Sequence, residues 1–182
     1  MITFALLLSL ATQAQAATPR IQPDLGAKSC FAREYSATHM RANPLQHVSK
    51  LHVLLERRKD RYGNDGTSTS VKVVGEKNGV LFGNEASCEI KENGRVFCFI
   101  ECDGGSFSLK HGRTGRVNFE VTKDYYFPLY RKGANSEEGR PGPEDTLDFR
   151  ADRANGVYSL EPKEAGVCER RWKQYKEAEY GC

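Results

Sequence analysis

ASCEIKENGRVFCFIECDGGSFSL, from Ala86 to Leu109, is the stretch whose reading decides the fold. It holds three short apolar runs separated by two turn signals, and three of the six cysteines lie within it. The first turn, Glu92-Asn93-Gly94, can close in two ways. A type I turn followed by a left-handed Gly94, as a G1 bulge, makes a three-residue loop. That loop sets Lys91 against Arg95, Ile90 against Val96 and Cys88 against Cys98. A two-residue Asn93-Gly94 turn would instead set Cys88 opposite Phe99 and send the two cysteines to opposite faces.

The second turn chooses between them. Asp103-Gly104 is a type I′ dipeptide, which sets Cys102 opposite Gly105, Ile100 opposite Phe107 and Cys98 opposite Leu109. Cys88 joins the apolar face so formed only with the three-residue loop. One face then carries Ala86, Cys88, Val96, Cys98, Ile100, Cys102, Phe107 and Leu109. The other carries Glu89, Lys91, Glu101, Ser106, Ser108 and Lys110, with Phe97 and Phe99 as apolar exceptions. This alternation describes a half-buried antiparallel sheet.

Facing residues of such a sheet have Cα atoms about 4.5–5.5 Å apart, within the roughly 4.4–6.8 Å of a disulfide. Cys88–Cys98 is therefore the expected bridge. Cys102 is four residues further on, about 13 Å along the strand, and out of reach. Cys30, Cys102, Cys168 and Cys182 remain, with three pairings that sequence does not separate. The reading leans to Cys30–Cys168, which ties the lead-in to the last strand and closes a very long loop, and so to Cys102–Cys182.

Working outward, Met1 to Ala16 has the form of an export signal, with an apolar run Ile2–Leu10 and the small-x-small site Ala14-Gln15-Ala16. No Lys or Arg precedes the run, which is too short to span a bilayer. The expected mature chain is residues 17–182, one disulfide-stapled β domain, periplasmic or secreted. Export favours disulfides over thiols or metal. There is no Cys-x-x-Cys, and Cys98-x3-Cys102 lacks a second ligand pair, so no metal site is expected. A net charge of +3 is too small to point to nucleic acid.

Ser36 can cap a short helix, Ala37 to Ala42, that Asn43-Pro44 ends. Val48 to Glu56 alternates as a strand. Thr69 to Gly75 is β-branched, and Asn78-Gly79 turns the chain into Val80–Phe82, a run read as broken at Gly83 before Ala86. Val117, Phe119 and Val121 alternate again. Leu147–Ala151 and Gly156–Leu160 read as a last hairpin, and a helical tail starts near Ala165 with Trp172 and Tyr175 on one side. Lys132 to Asp145 lacks periodicity and reads as a mobile loop. The sum is all-β: a single antiparallel up-and-down barrel of about eight strands, with short helical segments near both ends. A β-sandwich is the alternative.

CFAREYSATHM from Cys30, the strand from His47 to Leu55 after Asn43-Pro44, and CFIECDGGSFSL from Cys98 resemble a group of small exported bacterial proteins with no assigned function. The resemblance covers most of the mature chain. It implies a shared fold and brings no catalytic residue with it. The strand count alone resembles lipocalin-type barrels and barrel-shaped periplasmic lysozyme inhibitors, which is fold analogy and not function.

His39, His47, His52 and His111 have no accompanying carboxylate pattern, and no nucleophile elbow, phosphate loop or His-Glu-x-x-His is present. No catalytic residue and no cofactor are assigned. The candidate ligand-binding residues are Tyr125, Tyr126, Phe127 and Tyr130, an aromatic cluster beside a charged loop, together with Asp103 at its turn. The expected function is an exported, non-catalytic binding module for a small ligand, glycan or envelope component. The alternative is an inhibitor or interaction protein acting on another secreted protein.

Overall fold

The computed structural model describes residues 20–59, 67–91, 94–100, 105–121, 126–132, 141–149 and 156–178. Residues 1–16, read above as an export signal, and Cys102, Cys182, Asp103 and Tyr125 lie outside the described residues. The order is β1 (Lys28–Glu34), α1 (Ala37–Ala42), β2 (Lys50–Lys59), β3 (Thr67–Lys77), β4 (Val80–Ile90), β5 (Val96–Phe99) and β6 (Ser106–His111). There follow β7 (Val117–Glu120), β8 (Pro128–Arg131), β9 (Thr146–Asp148), β10 (Val157–Lys163) and α2 (Ala165–Glu177).

Each strand from β1 to β7 pairs antiparallel with the next, β7 pairs with β10, and β10 returns to β1. Eight strands thus close an antiparallel barrel, as the sequence reading expected. The hairpin β8–β9 is inserted between β7 and β10 and joins β4 at Phe82 and Gly83. Closure leaves no hydrophobic edge among the eight strands.

The opening hairpin has the expected register, with Cys88 facing Cys98 and Ile90 facing Val96. Gly94 has φ +73° and its N–H donates to Lys91 O, the geometry of a G1 bulge. Cys88 and Cys98 are bridged with Cα atoms 4.0 Å apart, and Cys30–Cys168 is bridged at 5.7 Å across 138 residues. The proposed partnership of Cys102 with Cys182 lies outside the described residues.

The second hairpin corrects the expectation. Phe107 faces Cys98 and Leu109 faces Val96, two residues away from the register a two-residue Asp103-Gly104 turn would give. The cause is visible at the start of β6. Gly105 has φ +86°, a Cβ there would fall 1.4 Å from the Tyr126 carbonyl oxygen, and Ser106 N–H donates to that same oxygen. The segment at Tyr126 thus holds the start of the strand. A slip of two residues preserves the faces, so the expected apolar set is still internal: Ala86, Cys88, Val96, Cys98, Phe107 and Leu109 are buried, and Ile100 packs beside them.

Two further readings are corrected. Gly83 does not break the run, because β4 continues through it to Ile90. Leu147–Ala151 and Gly156–Leu160 do not form a hairpin with each other. β9 pairs with β8, whereas β10 pairs with β7 and β1. Gly156 at the head of β10 has φ +64° and lies so close to Val121 O that a Cβ would stand 2.3 Å away, which locks β10 to the end of β7. Within the stretch read as a mobile loop, Pro143–Asp145 forms a 3-10 turn, while 133–140 lie outside the described residues.

Buried aromatic side chains pack against one another inside the barrel. Phe107, Phe119, Phe127, Phe149 and Tyr158 form one aromatic cluster, with ring centroids 4.4 Å apart for Phe107–Phe127 and 5.5 Å for Phe149–Tyr158. Leu129 and Leu147 of the inserted hairpin seal one region against Gly75, where a Cβ would meet their methyl groups at 2.7–2.9 Å. The helix α2 lies outside the wall. Cys168, Trp172 and Tyr175 recur at i, i+4 and i+7 on one stripe of it. Cys168 packs with Cys30, Leu54 and Val167 in a second, smaller cluster.

Candidate functional site

The sequence-derived aromatic cluster is divided by the fold. Phe127 is fully buried and belongs to the core, which corrects its assignment to a recognition surface. Burying its ring against Phe107 removes apolar area from water, a gain of about 2–3 kcal/mol for a residue of this size. Tyr126 is half-buried and serves β6 through its carbonyl. Tyr130 alone of the described members reaches an open site. Tyr125 and Asp103 lie outside the described residues.

That site is a groove of about 280 Å³ on the outside of the barrel. Its walls are Gly83, Asn84 and Glu85 of β4, Tyr130 to Lys132 at the end of β8, and Trp172, Tyr175 and Lys176 of α2. Strand alternation supplies the first wall: with Phe82 turned into the core, Gly83 presents bare backbone outward. Tyr175 lies against it. Its hydroxyl donates to Gly83 O at 3.1 Å, and a Cβ on Gly83 would come within 2.6–2.8 Å of the ring. A glycine inside a strand marks a close approach, and here the approaching group is a helix side chain.

Asn84 fixes the second wall. Its Nδ2 donates to Pro128 O and its Oδ1 accepts from Glu85 N–H, both at 2.9 Å. The Glu85 carboxylate accepts from Ser70 Oγ at 2.7 Å. On α2, Trp172 and Tyr175 are tilted against each other at 5.2 Å. The ammonium groups of Lys72 and Lys176 stand 5.8 and 5.5 Å from the Trp172 ring centroid, within the range of a cation–π attraction. Arg131 pairs with Asp145 at 3.8 Å. The lining thus brings together three aromatic rings, three cations and one carboxylate.

His52 is the polar group most altered by its surroundings. It lies under α2, almost fully buried, with Nδ1 lacking a hydrogen-bond partner. Burial first, then the nearby Arg171 and Lys50, lower its pKa to about 4, against a raising influence from Glu34. Arg171 in turn pairs with Glu76 of β3. His52 is not among the residues lining the groove. Among the described residues no cluster of three or more His, Cys, Asp or Glu could hold a metal, and no helix is long and apolar enough to cross a membrane.

Sequence reasoning noticed Trp172 and Tyr175 as neighbours but assigned them no role, and it missed Gly83, Asn84, Arg131, Lys132 and Lys176. The available signal was Gly83 itself, a glycine interrupting an otherwise continuous strand. Compared with protein-family models, curated proteins and solved structures, the chain finds no match in any of the three.

Proposed function

We propose that this chain is an exported, non-catalytic binding module for a glycan of the cell envelope or its surroundings, and that it binds on the outside of its barrel. The observation that carries this reading is the contrast between buried rings packed inside the barrel, Phe107, Phe119, Phe127, Phe149 and Tyr158, and an outer groove lined by Tyr130, Trp172 and Tyr175. A barrel that carries an apolar ligand needs an interior cavity, whereas five buried aromatic rings pack against one another inside this one. Aromatic rings beside hydrogen-bonding and charged groups suit a ligand with alternating apolar and hydroxylated faces. Two disulfides accord with an oxidising, periplasmic or extracellular compartment. Export by Met1–Ala16 belongs to the same proposal, with a mature N-terminus at Ala17.

The test is binding of wild type and Tyr130→Ala to an immobilised glycan array and to cell-envelope extract. The expected result is binding to a subset of sugars, lost in Tyr130→Ala, with extract binding abolished by periodate and not by protease. A filled barrel also suits the second reading, an inhibitor or interaction protein of another secreted protein. Extract binding destroyed by protease and resistant to periodate would replace the first reading with the second.

A further inference from the structure

We infer that the groove selects an acidic saccharide, one that carries carboxylates, over its neutral counterpart. The inference rests on the groove being the binding site and adds the charge of the ligand. Three cations, Arg131, Lys132 and Lys176, line the same space as a single carboxylate, Glu85. Two of the ionic groups are already engaged, Arg131 by Asp145 and Glu85 by Ser70. Lys132 and Lys176 have no ion-pair partner among the described residues, so their charge is available to a ligand.

The position of Lys176 is itself prepared. Its ammonium is held by the Trp172 ring, which also attracts Lys72. Lys72 pairs with Glu56 at 3.8 Å, outside the groove. Holding the Lys176 ammonium at the ring reduces the freedom that a carboxylate would otherwise have to remove on binding. The neighbouring Tyr130 and Tyr175 rings supply the flat apolar surfaces against which a sugar ring packs. A purely peptidic acid would use the cations and leave those rings without a matching face, which is why a saccharide is the occupant inferred.

The experiment is titration calorimetry of the full disulfide-bonded protein with three probes: an oligomer of galacturonic acid, a neutral oligomer of galactose, and poly-glutamate. The variants are Lys132→Gln and Lys176→Gln, which remove the charge and keep a polar side chain at the surface, and Tyr130→Ala. The expected result is binding of the galacturonic acid oligomer, weakened about three- to fivefold by each lysine substitution and weakened further by added salt. Equal affinity for the neutral oligomer, lost in Tyr130→Ala, would overturn the charge selection and leave the groove as the glycan site. Poly-glutamate binding as tightly as the acidic sugar would overturn the saccharide. Absence of binding to either sugar, or sugar binding indifferent to Tyr130→Ala, would overturn the groove reading itself.

Discussion

The inside and the outside of this barrel use the same residue types for opposite ends. Phe107, Phe119, Phe127, Phe149 and Tyr158 are buried and packed ring against ring inside it. Tyr130, Trp172 and Tyr175 stand on the outer face beside Gly83, Asn84 and four charged side chains. What separates the two sets is company. Phe107 and Phe119, flanked along their strands by polar residues and faced across them by Cys98 and Leu109, go inward. Trp172 and Tyr175, beside lysines on a helix that a disulfide fastens to the wall, stay at the surface.

Releasing the outer face is the largest perturbation. In the chain-entropy model, closing 138 residues by Cys30–Cys168 contributes about 5 kcal/mol. Cys30→Ala with Cys168→Ala is expected to lower the urea midpoint accordingly and to free α2, read as loss of amide protection in Ala165–Glu177. Protection that persists in α2 would mean that packing alone holds the helix. The second perturbation tests the inside. Phe119→Ala removes a ring touching Phe107, Phe127, Phe149 and Tyr158, with an expected loss of about 3–5 kcal/mol. The same substitution is expected to leave the groove unchanged, and a large change in Trp172 fluorescence in the folded variant would show that the two regions are coupled.

Acid should act on the outer face through His52. An unfolded imidazole takes up its proton near 6.5, whereas the buried one does so at about 4. Between those values the unfolded chain holds the extra proton, so acid favours unfolding. The stability is fully present above about 6.5, falls as pH drops, and is lost below about 4, to a total of about 3 kcal/mol. Glu34 on β1, Lys50 on β2 and Arg171 on α2 face this group. Denaturation of His52→Gln at pH 7 and pH 4 is expected to show a shallower loss than wild type. An unchanged loss would place the acid sensitivity elsewhere.

The smallest effect sharpens the boundary between the regions. Gly83→Ala pushes a methyl into the Tyr175 ring, at an expected cost of about 1–3 kcal/mol. It should alter the groove while the aromatic core keeps its near-ultraviolet signature. A variant as stable as wild type with its groove intact would show that Tyr175 moves aside freely.

How much of this was legible follows from the range of the interactions. The β4–β5 hairpin, its G1 bulge and the Cys88–Cys98 bridge were readable because each is decided by a few adjacent residues. So was α1, capped by Ser36 and ended at Asn43. The register of β6 was not, because Gly105 answers to the carbonyl of Tyr126, on a segment that approaches it only in the folded chain. The partner of β9 was misread for the same reason: Leu147–Ala151 was read as a hairpin with Gly156–Leu160, whereas β9 pairs with β8 across a longer stretch of chain. The groove was the least legible part. Its walls come from three separate stretches, and only Tyr130 was marked beforehand as a binding residue.

The central claim is that the accessible aromatic chemistry of this barrel lies outside, in a cationic groove. Trp172 is the only tryptophan in the chain, so its fluorescence reports on that groove alone. Stern–Volmer quenching at low ionic strength, with iodide compared against caesium, tests the claim directly. The account expects iodide to quench more strongly, with the difference narrowing in Lys176→Gln. Equal quenching by the two ions, or stronger quenching by caesium, would contradict it.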